Sequence, residues 1–173
     1  MTGVQTCALP ILAVGEVADD GGADIFVAPK KGRRGRVKVI NGRTGAIVRS
    51  FFAFGRRYSG GVALAAADLI GDGNAEIIAG RASGRRSRIE VVDSTTGRVL
   101  RTLSAFDRVF HRGLSLSARD VNNDGGPDIV ATSRGRHATL VEVFDGRTGA
   151  PVGGIQKLPA GPAKSFAGKA SRR

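Results

Sequence analysis

The sequence predicts an all-β chain built from tandem copies of one four-stranded module, and three observations lead there. The chain matches itself without gaps at a shift of 52 residues. Each copy carries apolar runs of strand length, and no window of about 11 residues keeps a helical period. The runs are bounded by Gly, Asn and Asp at positions where a turn needs them. Composition permits a packed fold: 41% of the 173 residues are hydrophobic, which excludes wholesale disorder. A single Cys excludes a disulfide framework and a Cys-based zinc site. No apolar run approaches the roughly 18 residues of a membrane-spanning helix. The net charge of +12 rests on 21 Arg and 6 Lys, a bias that by itself is a weak pointer to nucleic acid.

The repeat sets the elements in order. Glu16, Asp68 and Asp120 fall in line, as do Asp20, Asp72 and Asp124, then Gly21, Gly73 and Gly125. Asp24, Glu76 and Asp128 follow, each before an apolar run: Ile25-Phe26-Val27-Ala28, Ile77-Ile78-Ala79 and Ile129-Val130-Ala131. Later in each copy come Thr44-Gly45, Thr96-Gly97 and Thr148-Gly149, and Ala53-Phe54 aligns with Ala105-Phe106. In the middle copy the expected strands are Val62–Ala67, Glu76–Ala79, Arg88–Asp93 and Arg98–Leu103. The first is Ala-rich and apolar on both faces, as suits a crowded position near a central axis. The last two form a hairpin. Asn41, Asp93 and Asp145 each start its turn, and Gly45, Gly97 and Gly149 end it with a residue that tolerates positive φ.

Four short strands in about 50 residues is the pattern of a propeller blade. A blade cannot bury both of its faces alone, and closed propellers need roughly 4–8 blades. The expected object is therefore a partial β-propeller of about three blades, 12–61, 62–113 and 114–155, a fragment of a larger propeller. Residues 1–11 match nothing in the repeat and read as translated sequencing adapter, not as protein. On that reading the true amino terminus, with any signal peptide, is missing. Residues 156–173, rich in Pro, Gly, Ala, Lys and Arg, read as a basic disordered tail. Pro151 and the Gly153-Gly154 pair weaken the last strand of the third copy.

Chemistry is concentrated in one loop of each copy. Ten of the 15 acidic residues fall in three nine-residue windows, Glu16–Asp24, Asp68–Glu76 and Asp120–Asp128. Clustered carboxylates repel unless something neutralises them. A hard cation bound by alternate oxygen ligands around a Gly turn does so. The third window fits best. Asp120, Asn122, Asp124 and Asp128 offer side-chain oxygens, Gly126 offers a carbonyl, and Gly125 permits the turn. An EF-hand would carry Glu at position 12 and continue as a helix; here Ala131 stands there, within an apolar run. The second window offers Asp68, Asp72, Glu76 and the Asn74 carbonyl, with Ile70 unable to ligate. The first offers Glu16, Asp20, Asp24 and the Gly22 carbonyl, with Ala18 at the corresponding place. The alternative for each window is an Asx-rich turn without metal. Val17, Leu69 and Val121 alternate away from the ligands and are expected to pack inward.

The run D-x-N-x-D-G-x-x-D followed by Ile-Val-Ala resembles the FG-GAP/VCBS-type repeat, the blade unit also found in integrin alpha subunits. Phe51-Phe52-Ala53-Phe54, Ser59-Gly60-Gly61-Val62 and Val143-Phe144-Asp145-Gly146-Arg147-Thr148-Gly149 are similar to bacterial secreted members. The resemblance covers residues 12 to about 155. It implies a β-propeller with Ca2+ in the loops between the first two strands of each blade. It also implies an extracellular or cell-surface setting and a protein or glycan ligand. The departures at Glu16, Ala18, Ile70 and Glu76 set the first two loops below the third.

A second feature shares the period. The loop after the second strand carries Lys30, Lys31, Arg33, Arg34 and Arg36, then Arg81, Arg85, Arg86 and Arg88, then Arg134, Arg136 and His137. Equivalent loops of a propeller share one rim, and Arg forks suit carboxylate, sulfate or phosphate; the alternative is a solvated rim in an Arg-rich proteome. With little aromatic interleaving, single-stranded nucleic acid is disfavoured. His111 and His137 fall in expected loops, no nucleophile–base pair can be placed from spacing, and no G-x-S-x-G elbow occurs. The favoured reading is a calcium-binding adhesion or interaction scaffold without catalysis. The alternatives are a binder of polyanions (acidic glycan or nucleic acid) through the Arg rim, and the non-catalytic propeller part of a secreted hydrolase or lyase.

Overall fold

The structure is a computed structural model, and it describes residues 11–17, 22–84, 87–106, 113–134 and 138–159. These residues form twelve strands and no helix. The first sheet holds β1 (Ile11–Gly15), β2 (Asp24–Ala28), β3 (Arg36–Ile40) and β4 (Ile47–Phe52). The second holds β5 (Val62–Ala67), β6 (Glu76–Arg81), β7 (Arg88–Val92) and β8 (Val99–Ser104). The third holds β9 (Ser115–Arg119), β10 (Asp128–Arg134), β11 (Ala138–Phe144) and β12 (Gln156–Pro159). Every sheet is an antiparallel meander in chain order. The three stand face to face in a row that does not close: β1 packs on β5, and β5 on β9.

The hairpin turns form as the residue types require. In the first, Asn41 Oδ1 accepts from the Thr44 amide at 2.8 Å and the Thr44 hydroxyl at 2.9 Å, while the Gly45 amide donates to the Asn41 carbonyl. Asp145 repeats the arrangement with Thr148, and Asp93 Oδ1 accepts from the Thr96 amide and the Thr95 hydroxyl. Gly45, Gly97 and Gly149 adopt φ of 71°, 76° and 76°, the left-handed region open to glycine at little steric cost.

Period-two alternation divides the core in two. In β6, Ile77 and Ala79 face the first sheet and pack with Phe26, Val37, Val39 and Leu64. Ile78 faces the third sheet and joins Ile89, Val91, Phe106, Ile129 and Phe144. The middle sheet is thus buried on both faces, which is why β5 reads as a continuous apolar run. Two repeat-related hydrogen bonds tie neighbouring sheets: the Val62 amide to the Pro29 carbonyl, and the Leu114 amide to the Arg81 carbonyl. Glu90 adds a side-chain tie by accepting from the Phe54 amide at 3.0 Å, and Glu142 does the same for Phe106 at 2.6 Å. Phe54 and Phe106 hold φ of 61° and 57°, unfavourable for a side chain of that size, so each carboxylate fixes a strained corner.

Three expectations are corrected. Gln156–Pro159 is a strand, not tail: it pairs with β11 from Val141↔Gln156 to Ala138↔Pro159. The fourth strand of the third copy is displaced because pairing breaks after the Phe144↔Pro151 bridge and resumes beyond Gly153 and Gly154. The last two copies compare directly: β8 skips one residue between Val99 and Arg101, whereas the third copy leaves two unmatched. Residues 160–173 lie outside the described residues. Ile11, set apart with residues 1–10, belongs to β1 and pairs with Ala28; residues 1–10 are outside the described set. Val121 does not pack inward. Val17 and Leu69 are 8% and 1% exposed, but Val121 is 36% exposed. Leu69 is covered by the hairpin at Gly146 of the next sheet, and among the described residues no sheet follows the third to cover Val121.

Candidate metal centre

The loop joining the first two strands of each sheet is organised by its own carboxylates. In the third sheet, Asp120 Oδ1 accepts from the Asn123 amide at 2.7 Å and Oδ2 from the Gly125 amide at 3.0 Å. Asp124 Oδ1 accepts from the Gly126 amide at 2.8 Å, and its Oδ2 from the Asn122 side-chain amide at 2.8 Å. Asn122 Oδ1 accepts in turn from the Asp124 amide. Asp128, 1% exposed, accepts from the Val121 amide at 3.0 Å. Asn123 takes φ of 61° inside this turn, a conformation Asn tolerates better than most residues.

The structure brings together a set the sequence expectation did not contain. Carboxylate oxygens of Asp124, Asp128 and Asp145 lie within 4.8 Å of one another. Asp124 is exposed and Asp128 buried, so the trio opens to solvent on one side. Asp145 arrives from the turn after β11, where hydrogen bonds from the Thr148 hydroxyl and amide hold its carboxyl below the usual carboxylate range. Three carboxylates this close repel, and hard oxygen donors are the ligand type that Ca2+ or Mg2+ takes. The trio can hold a divalent ion; reaching the usual coordination number would take further oxygens, from water or neighbouring side chains. Asp120, Asn122 and Gly126 are not in the trio: the side chains of Asp120 and Asn122 serve the turn.

The second loop is built alike with one difference. Asp68 accepts from the amides of Gly71, Asp72 and Gly73, and Asp72 from that of Asn74. Glu76 is 2% exposed, and one of its oxygens takes both the Leu69 and Ile70 amides at 2.8 and 3.2 Å. Burial pushes the Glu76 carboxyl up, against those two hydrogen bonds. The longer side chain has turned under the loop, and among the described residues Asp72, Glu76 and Asp93 form no trio like the third. In the first loop Asp24 is fully buried and accepts from the Val17 and Gly42 amides, both at 3.1 Å. The Glu16 carbonyl accepts from the Ala75 amide of the next sheet. Gly22 is part-exposed, and Asp20 lies outside the described residues. The repeat counterpart of Asp145 there is Asn41, which is neutral.

One signal in the sequence pointed to Asp145: its place in the repeat is always Asn or Asp. That signal was already absorbed by the turn, and only the folded sheet shows that the same side chain reaches the neighbouring loop.

No family model matches the chain, and no curated protein matches it. Solved structures do. An exotype rhamnogalacturonan lyase, YesX, superposes with a TM-score of 0.59 at 18% identity, covering 85% of this chain and 32% of that one. The Bacillus licheniformis rhamnogalacturonan lyase PL11 gives 0.58 at 18% identity, over 85% of this chain and 33% of its own. The chain thus spans about a third of the length of the solved structures it matches, and the likeness is one of fold.

Proposed function

We propose that this chain is a non-catalytic part of a larger β-propeller, of the kind that frames a secreted polysaccharide lyase, with one divalent cation held at Asp124, Asp128 and Asp145. The observation that carries it is the uncovered face of the first sheet. Leu12 and Val14 are 58% and 52% exposed there. Their counterparts one repeat on, Leu64 and Ala66, pack against the first sheet. A face that the module buries in the middle sheet is open in the first, so it suits another sheet of the same kind. The match to 32–33% of two lyases agrees with a longer framework. Among the expected roles, this favours the lyase-associated alternative over a free-standing adhesion scaffold.

Thiol labelling tests it. In a Cys7→Ser background, Leu12→Cys is expected to react at the rate of an exposed thiol in the 173-residue chain. In the full reading frame it becomes protected. Equal, fast labelling in both overturns the proposal. So does cleavage of rhamnogalacturonan by the 173-residue chain alone.

A further inference from the structure

We infer that the middle sheet carries an oxyanion-binding pocket formed by Arg81, Arg88, Thr102 and Ser104, separate from the acidic loops. These four residues line an open-mouthed cavity of about 530 Å³. Register puts them on one face. Arg88 pairs with Ser104 and Glu90 with Thr102, and Arg81 ends the row that begins with Ile77 and Ala79 on the side of the first sheet.

The two guanidinium groups are held in place but not satisfied. Arg81 lies over the rings of Phe54 and Tyr58, at 5.2 and 5.0 Å from their centroids. The Tyr58 hydroxyl lies 2.9 Å from both the Gly61 and Ser83 carbonyls, which share its one proton. Arg88 donates through one terminal nitrogen to Glu90 at 3.0 Å. Yet the Nε of Arg81 and the Nε of Arg88 are both buried and without a hydrogen-bond partner. A guanidinium stays charged in proteins, so a buried N–H of this kind is costly until an acceptor meets it. Among the described residues Glu90 is the one carboxylate paired with either group, and it is engaged by Arg88 and the Phe54 amide. The two side chains line a cavity that also offers the Ser104 and Thr102 hydroxyls, the latter accepting from Arg88 Nη2 at 3.5 Å. That is the chemistry of a carboxylate, sulfate or phosphate, borne by a ligand whose own hydroxyls Thr102 and Ser104 can meet.

The repeat argues that the pocket is not a requirement of the fold. Pro29 and Ser133 stand at the place of Arg81, and Leu140 at that of Arg88 in the third copy. In the first copy Phe52 replaces Ser104, and Arg36 lies over its ring at 4.9 Å from the centroid. Only the middle sheet combines both arginines with two small hydroxyl residues.

The test is an NMR titration of the whole ¹⁵N-labelled chain, following the arginine Nε–H signals. Sodium sulfate, phosphate, acetate, galacturonate and neutral glucose are compared at constant ionic strength. Saturable shifts of the Arg81 and Arg88 signals are expected with the anions, with Kd on the order of millimolar, and none with glucose. Arg88→Gln and Arg81→Lys should each weaken binding about tenfold, while Arg98→Gln, on the exposed hairpin, leaves it unchanged. Galacturonate binding tighter than acetate supports reading of ring hydroxyls, and Ser104→Ala should then narrow the gap. Equal binding supports recognition of the anionic group alone. The amide spectrum of each variant reports its fold, and Arg81→Lys keeps the charge over the two rings should Arg88→Gln unfold. Absence of shifts at both arginines with every anion overturns the inference, as does an unchanged Kd in both arginine variants. Either failure would leave the framework role proposed above untouched.

Discussion

Replacing Glu90 with alanine probes how the sheets are held to one another. The Glu90 carboxylate is 5% exposed and sits between two sheets. It accepts from the Phe54 amide at 3.0 Å and pairs with Arg88 at 3.0 Å. Loss of a charge-assisted hydrogen bond to this half-buried amide costs about 1.5–3 kcal/mol. The ion pair adds at most about 1 kcal/mol, because the Arg88 side chain is 43% exposed and solvent screens it. Phe54 would also lose the partner that fixes its φ of 61°. The expected loss is about 2–4 kcal/mol, or roughly 5–15 °C in Tm for a chain of this size. Urea and thermal denaturation measure it. Two controls locate the effect. Glu90→Gln keeps an acceptor of the same shape and should lose about half as much. Glu142→Ala removes the equivalent tie to Phe106 where Leu140 replaces Arg88, and should cost about 1.5–3 kcal/mol. A loss below about 0.5 kcal/mol for Glu90→Ala, the range of an ordinary surface change, would refute the idea that these carboxylates clamp the sheets.

Further outcomes can be checked alongside. Ca2+ at about ten times its Kd should stabilise the chain by roughly 1.4 kcal/mol. Asp145→Asn and Asp124→Asn should each remove most of that shift in a calorimetric titration, whereas Asp72→Asn should spare it; an undiminished shift in Asp145→Asn would dissolve the trio. Gly146→Ala should destabilise by about 2–4 kcal/mol in urea, because its Cβ would run into the Pro127 carbonyl. At Asp93 burial raises the carboxyl pKa, but hydrogen bonds from Thr95 and Thr96 outweigh it and hold the group at about 2, below its ordinary 3.8. The folded form therefore binds its proton later than the unfolded one. The stability this supplies is full above the unfolded value and fades as pH falls from about 4 towards 2. Asp93→Asn should flatten that limb of the stability–pH curve.

The repeat made much of this molecule legible before any coordinates. Its period placed four strands per copy, and β5 matched the expected Val62–Ala67 to the residue. Asx-Thr-Gly hairpins formed as their chemistry demands, since a turn is decided by neighbours in sequence. The fourth strand of the third copy was misplaced because two glycines and a proline displaced the pairing, and strand pairing is a long-range event that local composition does not fix. The inward packing expected at Val121 failed for a related reason: alternation says which way a side chain points, but not whether another sheet waits there. At the acidic loop the three windows were found by spacing. Spacing did not show that Asp145 comes beside Asp124 and Asp128, nor that the Asp120 oxygens accept from the Asn123 and Gly125 amides.

The sequence by itself determined the module, its period, its turns and the concentration of negative charge in one loop, because each rests on residues close together along the chain. Only the tertiary structure decided which carboxylates meet, which arginines are left with buried unpaired donors, and which faces are covered. Asp145 reaches Asp124 and Asp128 through pairing of β10 with β11, and Arg81 settles on Phe54 and Tyr58 through packing of one sheet on the next. Such meetings depend on surfaces that exist only once the sheets have formed.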